Sequence, residues 1–190
     1  MDIAALEALF EDTLSAEKSS KTGLPPVHLW NPDLTGIMDL IIDREGRWIH
    51  EGREIKRPAL VKLFSTILKQ EDQNYFLVTP VEKWQITVDV APFFISEVVK
   101  SVKEGHQAVT AVTTTNDTVV VGVNHPLWVE SVDGNDQPVP LINIRDTMAG
   151  LLSRSAFYQL VEWSSLQTIN GRRGMFVESM GDHFWLGSPE

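Results

Sequence analysis

Apolar residues recur at helical spacing at the start of the chain: Ile3, Leu6, Phe10 and Leu14, with Glu7, Glu11 and Glu17 between them. That pattern predicts one amphipathic helix. Lys18-Ser19-Ser20-Lys21-Thr22-Gly23 is polar and small and reads as a linker. Pro25-Pro26 and Trp30-Asn31-Pro32 predict a stiff, extended entry, because residues before proline avoid the helical region. Gly36 to Ile42 alternates as a strand, Arg44-Glu45-Gly46 turns, and Arg47 to His50 returns as a second strand. Glu51-Gly52 turns again into a short strand around Ile55. A helix follows, with Pro58 in its first turn and Leu60, Val61, Phe64, Ile67 and Leu68 on one face.

From Tyr75 to Ile144 the pattern changes to period two. Trp84, Ile86, Val88 and Val90 alternate with Gln85, Thr87 and Asp89, the mark of a half-buried strand. Tyr75–Thr79, Phe93–Lys103, Gln107–Thr115, Thr118–Val123, Leu127–Ser131 and Val139–Ile144 supply six more. Glu104-Gly105, Asn116-Asp117 and Asp133-Gly134-Asn135 are the turns between them. Asp146 then caps a helix through Trp163, with Met148, Leu152, Ala156 and Leu160 at helical spacing.

Seven strands followed by one helix predict an α+β chain whose C-terminal half is a pleckstrin-homology-like, seven-stranded antiparallel barrel capped by a helix. The first half reads as a shorter version of the same recipe, strands then helix, without a residue-level repeat. The division this implies is an N-terminal helix and linker over 1–22 and a small β-rich domain over 23–73. The barrel with its helix then takes 74–165, and a tail over 166–190 packs back to cover Met175-Phe176-Val177 and Phe184-Trp185-Leu186.

Charge narrows the partners. The net charge of −10 repels a phosphate backbone, so broad nucleic-acid binding is not expected. Arg44, Arg47, Arg53, Lys56, Arg57 and Lys62 stand against only Glu45, Glu51 and Glu54 in one local basic excess. It reads as a solvated face or, more sharply, as a small anion-binding patch. The acidic N-terminus lacks the basic start and apolar run of a secretory signal, and no apolar stretch reaches the roughly 20 residues of a membrane span. The expected address is cytoplasmic. With no cysteine, disulfides, thiolate metal sites and cysteine nucleophiles are excluded. Phosphate-loop, dinucleotide, nucleophile-elbow and zinc-protease motifs are absent. His50-Glu51 and Asp182-His183 read as surface pairs, not as ligand sets, and no cofactor or metal is implied. Glu71-Asp72 reads as a solvated pair at a helix end, and Trp48, Trp84 and Trp128 read as core.

The densest stretch is Thr79-Pro80-Val81-Glu82-Lys83-Trp84 followed by Val88-Asp89-Val90-Ala91-Pro92-Phe93. With Pro25-Pro26, Trp30-Asn31-Pro32, Asp43-Arg44-Glu45-Gly46-Arg47-Trp48, Gly52, Ile55-Lys56-Arg57, Leu60 to Phe64 and Arg145, it resembles a bacterial family catalogued as domain of unknown function 1285. The resemblance covers residues 25–165. It implies a two-part fold with related halves, the second pleckstrin-homology-like, a ligand or partner site where the halves meet, and a role in signal transduction. It implies no activity.

The expected function is therefore a non-enzymatic binding or regulatory module. Its expected site joins Trp30, Arg57, Thr79, Glu82, Lys83, Asp89, Phe93 and Arg145. Arg57 and Lys83 would receive an anionic group, Glu82 and Asp89 would orient those cations or bind donors, and Trp30 and Phe93 would form apolar walls. The partner would be a small anionic molecule or a protein. One alternative is a small hydrolase or isomerase using Glu82 or Asp89. Another is a structural or oligomerisation protein docking through its first helix.

Overall fold

The computed structural model describes residues 24–132 and 135–188. The helix expected over Ile3–Leu14, its linker and the Asp133-Gly134 turn lie outside them. The chain divides into two compact units, one reaching Asp89 and the other running from Val90, with the short turn Arg44–Gly46 belonging to the second.

The first unit opens on a 3-10 turn, Val27–Leu29, which leads to the buried Trp30. Its strands are β1 (Gly36–Ile42), β2 (Trp48–His50) and β3 (Arg53–Glu54). Helix α1 (Pro58–Thr66) follows, then β4 (Leu68–Glu71), β5 (Asn74–Val78) and β6 (Lys83–Val88). They form one sheet of order β3-β2-β1-β6-β5-β4. In β1 the alternation holds: Met38, Leu40 and Ile42 are buried while Ile37 and Asp39 face out. α1 buries Leu60 and Phe64, and the Phe64 ring lies tilted 6.2 Å from Trp48.

The sequence pattern runs the α1 face on to Leu68, but the helix stops at Thr66. Ser65 Oγ donates to Lys62 O at 2.7 Å and Thr66 Oγ1 to Leu63 O at 2.6 Å. These hydroxyls bond back to the carbonyls of the last turn, a local alternative to continuing the helix. Ile67 and Leu68 then pass into β4, where Leu68 pairs with Leu77.

The second unit holds β7 (Phe93–Lys103), β8 (His106–Thr113), β9 (Thr118–Val120), β10 (Leu127–Val132), β11 (Asn135–Arg145) and β12 (Met148–Leu152). Their sheet order, read from β9, is β9-β8-β7-β12-β11-β10. Each unit is thus two three-stranded antiparallel meanders joined by a parallel pair of its first and last strands, β1 with β6 and β7 with β12. The strand order is the same in both. The helix is not placed alike. α1 links the two meanders of the first unit, whereas α2 (Arg154–Trp163) follows the last strand of the second.

Three expectations are corrected here. The second unit's sheet is open and six-stranded, not a closed seven-stranded barrel, because its end strands β9 and β10 do not pair. The change of unit falls after Asp89 and not between residues 73 and 74, since β5 and β6 hydrogen-bond into the first sheet. And Asp146 caps no helix: at φ 49° it closes the β11–β12 turn, and Met148–Leu152 is a strand. Gly150 suits that strand, since a Cβ there would meet Ile144 and Ile95 at 3.0 Å. The cap of α2 is Ser153, whose hydroxyl accepts from Ala156 N at 3.2 Å.

The tail does fold back, as a three-stranded antiparallel sheet of β13 (Ser165–Ile169), β14 (Arg172–Ser179) and β15 (Asp182–Gly187) that packs on β8, β10 and α2. The fully buried Ser179 ties it down, donating to Val121 O at 2.7 Å and accepting from Val109 N at 2.9 Å. Among the described residues no helix is long and apolar enough to cross a membrane.

Candidate functional sites

Six of the eight expected site residues, Trp30, Arg57, Thr79, Glu82, Lys83 and Asp89, fall in the first unit; Phe93 and Arg145 fall in the second. Trp30 and Lys83 are joined, though through residues the sequence did not single out for it. Lys69 Nζ donates to Trp30 O at 2.9 Å and to Asn31 Oδ1 at 2.8 Å. It also stands 3.2 Å from Glu71, whose other carboxylate oxygen takes Lys83. Lys83 Nζ lies 4.5 Å from the Phe76 ring centre. So Glu71 is no solvated carboxylate at a helix end. It closes β4 and bridges two lysines.

The hydrogen bond from Lys83 holds the Glu71 carboxyl below its ordinary value, against the opposing effect of desolvation and with further help from Lys69. A depressed carboxyl stabilises the fold above its unfolded value of about 4.3, and that stabilisation is lost as the pH falls through the lower folded value. Glu71→Gln should therefore cost stability at neutral pH. Solvent screening holds the loss to about 1 kcal/mol. Denaturant titrations of both proteins across pH should show the gap closing under acid. A gap that stays constant with pH would rule out this bridge as its source.

Thr79 and Glu82 meet only in a tight turn: Thr79 Oγ1 accepts from Glu82 N at 2.8 Å. The Glu82 carboxylate takes the Trp84 indole N–H at 3.2 Å, and Asp89 is exposed. Trp84 and Trp128 are half-buried, whereas Trp48 is fully in the core. Arg57 stands apart from these residues as the N-cap of α1 and borders a cavity of about 530 Å³ with His50 and Lys56.

In the second unit Phe93 and Arg145 do come together. The guanidinium carbon lies 5.2 Å from the Phe93 ring centre. Burial pulls the Arg145 guanidinium below its ordinary value, with Asp117 and Asp146 pulling the other way. Phe93 is a core residue at 2% exposure.

The larger cavity, about 720 Å³, involves none of the eight, and every lining residue belongs to the second unit. Its walls include Phe94 of β7, Leu151 and Leu152 of β12, Pro140 of β11 and Phe157 and Tyr158 of α2. Behind the Phe94 and Leu151 walls lies a small apolar cluster with Ala91, Val139 and Leu141. Arg154, Ser153, Arg44 and Glu45 supply its polar edge. One signal for this site was present in the sequence. Arg154, Phe157 and Tyr158 fall at i, i+3 and i+4, a stripe separate from the buried Ala156 and Leu160.

The fold and these cavities define a tandem β protein, two six-stranded units of one strand order with an appended three-stranded sheet. The chain belongs to the DUF1285 family. The model described as domain of unknown function (DUF1285), N-terminal domain, matches residues 25–91. The model described as protein of unknown function (DUF1285), C-terminal domain, matches residues 92–186. A crystal structure of a DUF1285 family protein from Silicibacter pomeroyi DSS-3 is similar at 36% identity, over 92% of this chain and 93% of that one, with a TM-score of 0.80. Another, from Shewanella baltica OS155, is similar at 25% identity, over 66% of this chain and 91% of that one, with a TM-score of 0.53. No curated protein matches the chain.

Proposed function

We propose that the protein is a cytoplasmic binding and regulatory module whose ligand occupies the larger cavity of the second unit. The observation that carries this reading is the cavity itself. Its 720 Å³ lies in the range that holds small molecules, and aromatic and aliphatic walls meet two arginines at one edge. The ligand that fits has an apolar or aromatic body and one anionic head, as in an aryl or acyl acid. Phe94, Phe157 and Tyr158 would cover the body, and Arg154 would pair with the head. A role in signal transduction and a pleckstrin-homology-like origin for the second unit belong to the same proposal. The second unit's strands followed by a C-terminal helix support them, although fold alone names no ligand.

A thermal-shift series with aryl and acyl acids and their neutral amides tests this. An acid at about a hundred times its dissociation constant adds about 2.7 kcal/mol, which for a chain of this size raises the melting temperature by roughly 5–10 °C. Arg154→Ala and Tyr158→Ala alter exposed side chains, so both variants should fold normally and lose that shift. A series in which no acid stabilises the protein, or in which both variants respond as wild type does, overturns the assignment and leaves a protein partner as the next occupant to test.

A further inference from the structure

The larger cavity has one wall that its own sheet does not supply. Arg44 and Glu45 line it, and both lie in the turn between β1 and β2. Those strands pair with each other in the first sheet, while the turn Arg44–Gly46 belongs to the second unit. The turn is held at its base. Asp43 N donates to Arg47 O at 3.0 Å, and Arg47 N donates back to Asp43 Oδ1 at 2.9 Å. Arg47 Nε and Nη2 both reach Asp43 Oδ2 at 2.7 Å, and the Asp43 side chain is only 10% exposed. Such charge-assisted bonds fix direction as well as distance.

The tip is held too. Gly46 sits at φ 75°, and a Cβ there would overlap the Phe94 side chain, so only glycine lets the turn lie this close. Phe94 is itself a wall of the cavity. Between base and tip stands Arg44, which is exposed and forms no ion pair among the described residues. Glu45 offsets one of the two arginines at this edge, so the edge suits a single anionic head and not a polyanion. Beyond the turn, β2 has three residues and β3 two, and they end the first sheet. Short outer strands open readily, because few hydrogen bonds and contacts hold them. β2 also carries Trp48, whose ring meets Phe64 of α1.

We propose, resting on the reading of the larger cavity as the ligand site, that Arg44 shares the anionic head with Arg154 and so ties the ligand to the β1–β2 hairpin. An opened hairpin withdraws Arg44, and the ligand loses one partner. The ligand therefore favours the closed hairpin by its differential affinity for the two states. Linkage makes the effect reciprocal. The factor by which opening weakens the ligand is the factor by which bound ligand suppresses opening. A closed hairpin fixes Trp48 and, through the ring contact, Phe64 of α1. A small acid thereby controls the state of a helix in the first unit, as a regulatory module requires.

Hydrogen exchange of the full chain tests this, with octanoate and phenylpropionate as probes and the melting shift as the measure of binding. Arg44→Ala alters an exposed side chain, so it should keep the wild-type melting temperature without a probe. It should bind the probe about tenfold more weakly, the loss of one charge-assisted partner. By linkage a saturating probe should slow exchange at the Asp43 and Arg47 amides of the wild-type protein by the same factor, about tenfold. It should also slow exchange in α2, which carries Arg154. In Arg44→Ala the bound probe should still protect α2 but no longer the hairpin amides. Arg44→Lys, which keeps the charge, should recover part of both effects. A probe that binds and protects α2 while the hairpin exchanges as before overturns the link and leaves the ligand site standing. So does Arg44→Ala binding as wild type does. If neither probe binds, the ligand site falls and the link falls with it.

Discussion

Phe93→Ala is expected to remove about 3–5 kcal/mol of stability from the second unit, the range found when a buried aromatic ring is deleted from a packed core. Phe93 opens β7 and sits opposite Gly150 on the parallel strand β12, where it is 2% exposed. Two losses combine. Burial of the ring's apolar surface no longer favours the folded state, and that state is left with a cavity that neighbouring strands cannot fully close. Arg145, itself largely withdrawn from water, also loses the ring on which its guanidinium rests. At about 2–4 °C per kcal/mol the melting temperature should fall by about 10 °C. Phe93→Leu, which keeps most of the volume, should fall much less. The measurement separates two roles for one residue. A wall of a ligand site would tolerate alanine with little change in melting and a large change in binding, whereas a core ring does the reverse. An alanine variant that melts within about 2 °C of wild type would return Phe93 to the site.

The strands of this chain were legible wherever one face is buried and the other wet. β1 follows the alternation closely, β7 follows it only through Ile95 before a bulge between Ile95 and Glu97 breaks it, and the Glu51-Gly52 and Glu104-Gly105 turns, with both residues at positive φ, announce two hairpins. What misled was apolar spacing that happened to suit a helix. Leu68 follows Leu60 and Phe64 at intervals of four, so the face reads as unbroken in the sequence, yet the helix ends at Thr66, where the hydroxyls of Ser65 and Thr66 bond back to the last turn. Met148, Leu152, Ala156 and Leu160 show the same interval, yet the first two belong to β12 and the last two to α2. The parallel pairings β1–β6 and β7–β12 leave no local mark, because they join strands far apart in the chain. The assignment of β5 and β6 to the first sheet was hidden for that reason.

Site residues follow the same rule. The basic excess around Arg53, Lys56 and Arg57 was visible as charge, but the burial of His50 beside it depends on tertiary packing. Lys69 and Glu71 lie two apart on one face of β4, a pattern without meaning until β4 is known to be a strand.

Gly174→Ala should be the most damaging single-methyl change in the appended sheet. A Cβ at this position would press into the Trp185 indole at Nε1 and lie 2.6 Å from the Gly187 carbonyl oxygen. The indole can give way only at the expense of its stacking with Arg172, whose guanidinium carbon is 3.3 Å from the ring centre. The carbonyl belongs to the backbone of β15, so relief requires β14 and β15 to separate where their register already shifts. Overpacking of this kind costs about 1–3 kcal/mol, and contact with backbone places this site at the upper end. Gly187→Ala is the matched control, because nothing lies within 4 Å of a Cβ there. Hydrogen exchange should show faster opening of β14 in the first variant and not in the second. Because α2 packs on β14, and α2 carries Arg154, Phe157 and Tyr158 of the larger cavity, the same change should weaken an acid bound there. Equal stability of the two variants would mean that the β14–β15 pairing relaxes freely, and that α2 does not depend on it for its position.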